Sequence, residues 1–213
     1  MIGTSCYQAR MPTWIEYFAC AVGAISGVLA AEGKRIDLFG VLVLALVTAV
    51  GGGTIRDICL NAPVFWLNNP AILLSATLPA LVAFLLVRFV RMPEKTLMIA
   101  DAFSLALFGI VGTEKALMSG ASEVAAILLG IVTGVAGGVL RDILRSEIPW
   151  VFRAEVHLYA TTVFFGALLF VILQRWWPHA ESGRYISMGL ILLLRLVAMR
   201  FGLRLPVFRM RER

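Results

Sequence analysis

A glycine-rich motif that ends in an arginine–aspartate pair occurs twice in this chain, each time at the end of a long apolar segment. The first copy is Gly51-Gly52-Gly53-Thr54-Ile55-Arg56-Asp57, and 85 residues later the second is Ala136-Gly137-Gly138-Val139-Leu140-Arg141-Asp142. Charged side chains at the end of an apolar helix are expensive to place in a lipid bilayer. Two such endings at matched positions predict a duplicated fold with a polar path through its centre.

The apolar segments are long enough to span a membrane. Sixty percent of the residues are hydrophobic and only 15% are charged, whereas an ordinary soluble domain has about 25% charged residues. The segments approach the roughly 20 apolar residues that a membrane-spanning helix needs. We therefore predict an all-α polytopic membrane protein whose 213 residues form a single transmembrane domain. The predicted helices are 13–31, 38–57, 71–90, 97–118, 123–142, 158–174 and 185–202.

The two motif copies belong to a longer internal repeat with a constant offset. Outside the motif the matched pairs include Phe18 with Phe103, Gly27 with Gly112, Thr48 with Thr133 and Thr77 with Thr162. Repeat one covers residues 13–90, repeat two covers 97–174, and the seventh helix at 185–202 has no mate. A unit of three helices that is followed directly by its copy must be inverted, which predicts a pseudo-two-fold axis in the membrane plane.

The basic residues predict the orientation in a cell (inner) membrane. A net charge of +6 could indicate nucleic-acid binding, but these residues lie between or beyond the apolar segments, so topology explains them better. Cytoplasmic loops are enriched in lysine and arginine, and this places the N-terminus outside and the C-terminus in the cytoplasm. The side rich in basic residues has Lys34, Arg35, Arg88, Arg91, Lys95, Arg141, Arg145, Arg153, Arg200 and the tail 204–213.

The second and fifth helices each have a small, partly polar face. Residues four apart share a face, so Thr48, Gly52 and Arg56 align in one helix, as do their mates in the other. Two interpretations of the glycines compete. They permit close helix packing, or they kink or break the helix and free carbonyl groups that line a pore. We expect the kink or break, with packing as a simultaneous role.

The charged pairs also have two interpretations. Neighbouring residues in a helix point about 100° apart, so we expect the pairs to cross the pseudo-two-fold axis, Arg56 with Asp142 and Arg141 with Asp57. The alternative is that these side chains only snorkel to the lipid headgroups.

Other polar residues of the segments are weaker candidates. Asp101 and Lys115 lie in the fourth segment, and Glu16 is the repeat mate of Asp101. Glu114 resembles a helix-end charge, Arg195 is either buried or snorkelling, and Trp150 is expected at the membrane interface.

No enzyme class is indicated. The two histidines are not spaced with carboxylates as a metal site, and the three cysteines show no paired spacing. No nucleophile-elbow, Walker or dinucleotide-binding pattern occurs. We expect no catalytic residue, no bound metal and no cofactor beyond a permeant K⁺ or Na⁺.

On these motifs the chain resembles the prokaryotic branch of the trimeric intracellular cation (TRIC) channels, a group also known as a small bacterial family labelled glycine transporter. The resemblance rests on GGGTIRD, GGVLRD and the plan of two three-helix repeats plus one helix, and it covers about residues 12–202. It implies a homotrimer in membrane lipid, with a potassium-permeable pore in each protomer that kinked helices two and five line. Carried onto this chain, the pore positions are Gly51, Gly52, Gly53, Arg56, Asp57, Gly137, Gly138, Arg141 and Asp142.

Two function classes remain, beside a purely structural scaffold that would leave the charged pairs without a purpose. In a monovalent cation channel the carbonyls and aspartates would attract the ion, and the arginines would hold the aspartates or plug the path, so that breaking a pair opens a gate. In a secondary transporter of a small amino acid such as glycine, helix ends and carboxylates would bind the zwitterion. Our predicted pathway comprises Thr48, Thr133, Asp101 and Lys115 in addition to the motif positions.

Overall fold

The structure is a computed structural model, and it describes residues 12–90, 92–153, 158–177 and 181–203. Those residues form seven α-helices and one 3₁₀ turn at Trp150–Phe152. In chain order the helices are α1 Thr13–Ala30, α2 Leu38–Cys59, α3 Ala71–Phe89, α4 Glu94–Met118, α5 Glu123–Leu144, α6 Ala160–Trp176 and α7 Ser182–Phe201.

The predicted fold class is confirmed. Each helix overlaps the segment predicted for it, and six of them are long and apolar enough to cross a membrane. The exception is α6, which is apolar but has only 17 residues. The basic tail 204–213 and Arg91 lie outside the described residues.

The two motif helices begin and end in the same way. The Asp37 carboxylate accepts a hydrogen bond from the backbone N–H of Gly40 at the start of α2, and the Ser122 hydroxyl caps α5 at the matching position. Beyond each helix the chain turns through a residue with positive φ, Asn61 at 50° and Ser146 at 56°. These left-handed residues reverse the chain, so that the loop after each motif returns to the helix that it has just left.

Helices α2 and α5 cross in the centre of the bundle, antiparallel, and no side chain lies between them at Gly52 and Gly137. A Cβ atom on Gly52 would collide with the carbonyl oxygen of Thr133, and one on Gly137 would collide with that of Thr48. Moving forward along α2 therefore means moving backward along α5, as an inverted repeat requires. Around this pair, α1 packs on α2 and α3, α4 packs on α5 and α6, and α7 packs on α4 and α6.

The structure corrects the expectation of a broken helix. Helix α2 continues through Gly51, Gly52 and Gly53 as one α-helix, and α5 continues through Gly137 and Gly138. Gly52 and Gly137 are needed because the two backbones approach too closely there for any side chain. In this conformation a break is absent from both described helices and close packing is confirmed, whereas a kink within a continuous helix stays a prediction.

Substituting the central glycine tests this packing. We expect Gly52→Ala to destabilise the fold by about 1–3 kcal/mol, because overpacking of a close contact has that cost. Gly189→Ala is the matched control, since a Cβ there meets nothing within 4 Å. Thermal unfolding of the purified protein in detergent measures both, and equal melting temperatures would contradict the close crossing.

Candidate functional site

One cluster of buried charges lies where α2 ends. The Asp57 carboxylate is completely buried, and Arg56 Nε donates to its Oδ1 at 2.8 Å. The backbone N–H of Phe65, in the returning loop, donates to Oδ2 at 2.9 Å. Lys115, near the end of α4, places its Nζ 2.9 Å from Oδ1 and 3.0 Å from Oδ2. Glu16 of α1 lies within electrostatic range of Arg56, Asp57 and Lys115. We call this group the Asp57 cluster.

The second cluster lies where α5 ends and repeats the same construction. Arg141 Nε donates to Asp142 Oδ1 at 2.9 Å, and the backbone N–H of Trp150 donates to Oδ2 at 3.0 Å. Arg141 Nη1 also bonds Asp101 Oδ1 of α4 and the Ser26 hydroxyl of α1, both at 2.8 Å. The Trp150 ring lies 4.8 Å from the guanidinium carbon, close enough for a cation–π contact. We call this group the Asp142 cluster.

The loop contacts explain why the motif places aspartate after arginine. Phe65 and Trp150 are repeat mates, and each lies eight residues beyond its aspartate. The left-handed turns at Asn61 and Ser146 bring their N–H groups back onto the carboxylate. Each aspartate thus holds an arginine and an exit loop at once, and each arginine is neutralised although it is buried.

The expected pairing across the pseudo-two-fold axis is wrong. Arg56 lies four residues beyond Gly52 in α2, and Arg141 lies four residues beyond Gly137 in α5, in the opposite direction. Because Gly137 lies opposite Thr48, which is four residues before Gly52, about 12 residues separate Arg56 from Arg141 along the helix axis, or roughly 18 Å at 1.5 Å per residue. Each arginine instead curls onto the aspartate next to it. Snorkelling is also wrong, because Arg56 is 1% exposed and Arg141 is fully buried.

The remaining predicted positions surround the crossing between the two clusters. Thr48 Oγ1 donates to the carbonyl of Leu44 and faces Gly27 of α1, and its mate Thr133 faces Gly112 of α4 in the same way. Gly51 faces the Leu140 side chain, Gly53 faces the Phe65 ring, and Gly138 faces the Tyr159 hydroxyl. The structure therefore gathers all predicted site residues into two clusters and the crossing between them.

The loops at the Asp142 end carry a network of ion pairs. Glu147 lies 3.0 Å from Lys34, 3.1 Å from Arg145 and 2.8 Å from Arg153. Hydrogen bonds from Arg153 and Lys34 lower the pKa of Glu147 to about 2, so it stays ionised near neutral pH. Arg145, Glu147 and Trp150 also line a cavity of about 650 Å³ that opens beside the Asp142 cluster.

Several buried contacts differ from the sequence-based expectation. Glu114 is not a free helix-end charge, because Arg184 of α7 donates to both of its oxygens, at 2.6 and 2.7 Å. Arg195 is fully buried rather than snorkelling, with its guanidinium carbon 4.7 Å from the ring centre of Tyr159. Trp150 covers Arg141, and its expected position at the membrane interface stays a prediction. Tyr159 has no signal in the sequence, since a lone tyrosine outside the repeat pattern looks ordinary.

Comparisons with known proteins give a consistent family. The family model described as glycine transporter matches residues 13–88 and 98–175, the stretches of α1–α3 and α4–α6. The UPF0126 inner membrane protein YadS of Escherichia coli is 42% identical over 202 residues, 93% of this chain and 97% of that protein.

Two solved structures are also similar. The TRIC trimeric intracellular cation channel orthologue from Rhodobacter sphaeroides is 35% identical with a TM-score of 0.83, and the match covers 90% of this chain and 98% of that one. A structure described as the basis for conductance through TRIC cation channels is 31% identical with a TM-score of 0.83, covering 96% and 100%. These relatives are membrane proteins and channels, not enzymes, in agreement with the sequence-based prediction.

The burial of Arg141 generates a stability prediction. We expect Arg141→Met to destabilise the protein by about 3–5 kcal/mol, because Asp101 and Asp142 would remain buried without their shared cation. Arg153→Met is the control, since that side chain is a third exposed and such pairs contribute about 1 kcal/mol or less. Thermal unfolding in detergent is the measurement, and similar losses in both variants would contradict the structural role of Arg141.

Proposed function

This chain belongs to the glycine transporter family, the family of the prokaryotic TRIC channels, and on that premise we propose that it is a potassium-permeable channel for monovalent cations. The observation that carries the proposal is the pair of buried aspartate clusters on opposite sides of a glycine crossing, inside a membrane-spanning bundle. Burying charged side chains on both sides of the α2–α5 crossing is energetically costly, and a role in ion conduction would account for this cost.

The proposed path runs within one protomer, from the Asp57 cluster past the α2–α5 crossing to the Asp142 cluster. At each end a carboxylate supplies oxygen ligands and negative potential to a partly dehydrated cation. Arg56 and Arg141 do not repel the ion strongly, because each is paired with the aspartate beside it. The same arginines keep each carboxylate in one place, so that it faces the path.

The crossing supports a closed conformation in which α2 and α5 must separate or bend for ions to pass. Glycine is the residue that resists bending least, and both helices have glycines at the point of contact. A bend at Gly51–Gly53 would release the carbonyls of the preceding turn, including that of Thr48. Thr133 is the equivalent residue in α5, and these freed oxygens would line the open path.

Assembly and orientation complete the proposal. The solved relatives are described as trimeric, and we propose a homotrimer in membrane lipid with one path in each protomer. YadS is named an inner membrane protein, and we propose the same location here. The positive-inside rule then places the Asp142 end, with Lys34, Arg145 and Arg153, in the cytoplasm. We propose no resident cofactor and no nucleic-acid partner.

A carrier for a small zwitterion such as glycine is the second candidate, and the description of the matching family model favours it. Each cluster has both an arginine and carboxylates, which suit the two charges of an amino acid. A carrier must expose its site to one side at a time, whereas a channel needs one continuous path.

Planar-bilayer recording separates the two candidates. With purified protein and a gradient of KCl, we expect discrete current steps whose reversal potential lies toward the potassium equilibrium potential. The companion measurement is uptake of radiolabelled glycine into liposomes. Saturable uptake that unlabelled glycine competes, without current steps, would replace the channel with the carrier.

Neutralising the carboxylate of the first cluster tests its place in the path. We expect Asp57→Asn to reduce the potassium current at least about tenfold, because Arg56 and Lys115 then leave an uncompensated positive charge, and a tenfold change in rate is about 1.4 kcal/mol. Glu123→Gln is the control, since this exposed carboxylate at the start of α5 lies outside the cluster. Unchanged current in Asp57→Asn would remove Asp57 from the path.

A further inference from the structure

The last glycine of each motif faces an aromatic side chain, but the two halves supply that side chain from different places. A Cβ on Gly53 would lie 2.7 Å from the ring of Phe65, and the same ring lies 5.5 Å from the guanidinium carbon of Arg56. The repeat mate of Phe65 is Trp150, which covers Arg141. One aromatic residue thus contacts both the glycine and the arginine in the first half, whereas the second half uses another residue at its glycine.

Tyr159, directly before α6, is that additional residue. A Cβ on Gly138 would lie 2.9 Å from the Tyr159 hydroxyl, 3.4 Å from Asp101 Oδ1 and 3.7 Å from Arg141 Nη2. Tyr159 is buried, so its phenol fills the space where the backbone of α5 approaches the Asp142 cluster. Its repeat mate is Leu74, which is 59% exposed. The first half therefore has no equivalent of this side chain.

Arg195 of α7 fixes the position of Tyr159. Its guanidinium carbon lies 4.7 Å from the centre of the tyrosine ring, and its Nη1 donates to the carbonyl of Leu158 at 3.3 Å. The Thr162 hydroxyl donates to the carbonyl of Tyr159 at 2.8 Å. Both the ring and the backbone around it are thus held in place. Arg195 is fully buried, and its charge lies within electrostatic range of Asp101.

Helix α7 is itself firmly placed against its neighbours. Ile191, one turn before Arg195, packs so closely on α6 that a Cβ on Gly166 would collide with it. Near the start of α7, Arg184 donates to both carboxylate oxygens of Glu114 in α4. The helix without a repeat mate therefore brings Arg195 to one fixed point beside the Asp142 cluster.

We propose that Tyr159 is a latch that keeps α5 unbent at Gly138, and that Arg195 is the positioning residue that holds this latch. The proposal rests on the proposed channel function, whose opening requires the glycine-containing helices to bend or separate. While the phenol fills the space beside Gly138, the last turns of α5 have no room to tilt toward it. Release of the ring by Arg195 vacates this space and permits the bend. Helix α7 thereby regulates the Asp142 end of the path.

Backbone hydrogen exchange measures the latch without any current. In Arg195→Met and in Tyr159→Leu we expect residues 134–142 to exchange about tenfold faster, because exchange follows local opening and a buried cation–π contact is lost. The matched control is Glu114→Gln combined with Arg184→Met, which removes the other buried arginine of α7 together with its partner. This control should exchange like the wild-type protein between 134 and 142.

Combined and conservative variants distinguish the latch from general loosening of the fold. Arg195→Met together with Tyr159→Leu should exchange no faster than either alone, because both remove the same contact. Arg195→Lys keeps a cation over the ring and should recover most of the protection. Fully additive effects, or no recovery in Arg195→Lys, would overturn the action of Arg195 through Tyr159.

Tyr159→Phe covers the case in which the larger changes do not fold. It removes only the oxygen that lies against Gly138 and keeps the ring beneath Arg195. We expect residues 134–142 to exchange faster than in the wild-type protein. Exchange equal to that of the wild-type protein would contradict the latch.

Single-channel recording in symmetrical KCl links the latch to function. We expect the ratio of open to closed time to rise about tenfold in Arg195→Met and Tyr159→Leu, by the same loss of a buried contact, with the current per open channel unchanged. If exchange does not change, or if it rises while the open-to-closed ratio of conducting channels does not, the proposal is overturned. If no form conducts but exchange rises as expected, the latch stands and the channel function fails.

Discussion

The contact between α2 and α5 at Gly52 and Gly137 determines the arrangement of everything else in the bundle. Because the two backbones touch there with no side chain between them, the helices have no freedom to slide or rotate past each other. This fixes the distance from the crossing to each motif end. It also fixes where Asp57 meets Lys115 of α4 and where Arg141 meets Asp101 of the same helix. A larger residue at either glycine would alter both clusters at once, although neither glycine contacts a charged side chain of its own cluster.

In each half of the molecule the same short segment, the motif end with its exit loop, stabilises a buried arginine. The aspartate that follows the arginine neutralises it, and the exit loop then closes over the carboxylate through one backbone N–H group. Burying a charge without a partner costs several kilocalories per mole, so the loop, the helix end and the ion pair must form together. The motif therefore specifies the complete helix ending, including the left-handed turns at Asn61 and Ser146.

The sequence predicted the seven helices and the inversion because apolar length and an odd-numbered repeat leave little freedom. It also predicted that Asp101 and Lys115 accompany the motifs. It did not predict the pairing, although the inversion contained the answer: antiparallel helices that cross near their glycines must carry Arg56 and Arg141 to opposite ends. The prediction of a helix break failed for a different reason. Consecutive glycines permit both a break and a close helix contact, and the sequence does not show that the Thr133 carbonyl lies against Gly52. The pair of Glu114 and Arg184 lies outside the repeat, where no pattern relates one residue to the other.

A perfectly inverted duplication would present the same chemistry to both sides of the membrane, so differences between the ends come from positions where the two copies carry different residues. Lys115, opposite Ala30 in the repeat, and Ser26, opposite Val111, are two such residues, and they act in contrary ways. Lys115 adds a partly exposed charge to the Asp57 cluster, whereas Ser26 adds a buried hydroxyl that holds Arg141 more firmly. One end has a partly exposed ammonium, and the other has an arginine anchored by Asp101, Asp142 and Ser26 and covered by Trp150. The difference between the two ends thus comes from a few side chains that depart from the repeat, within a backbone that the repeat makes symmetric.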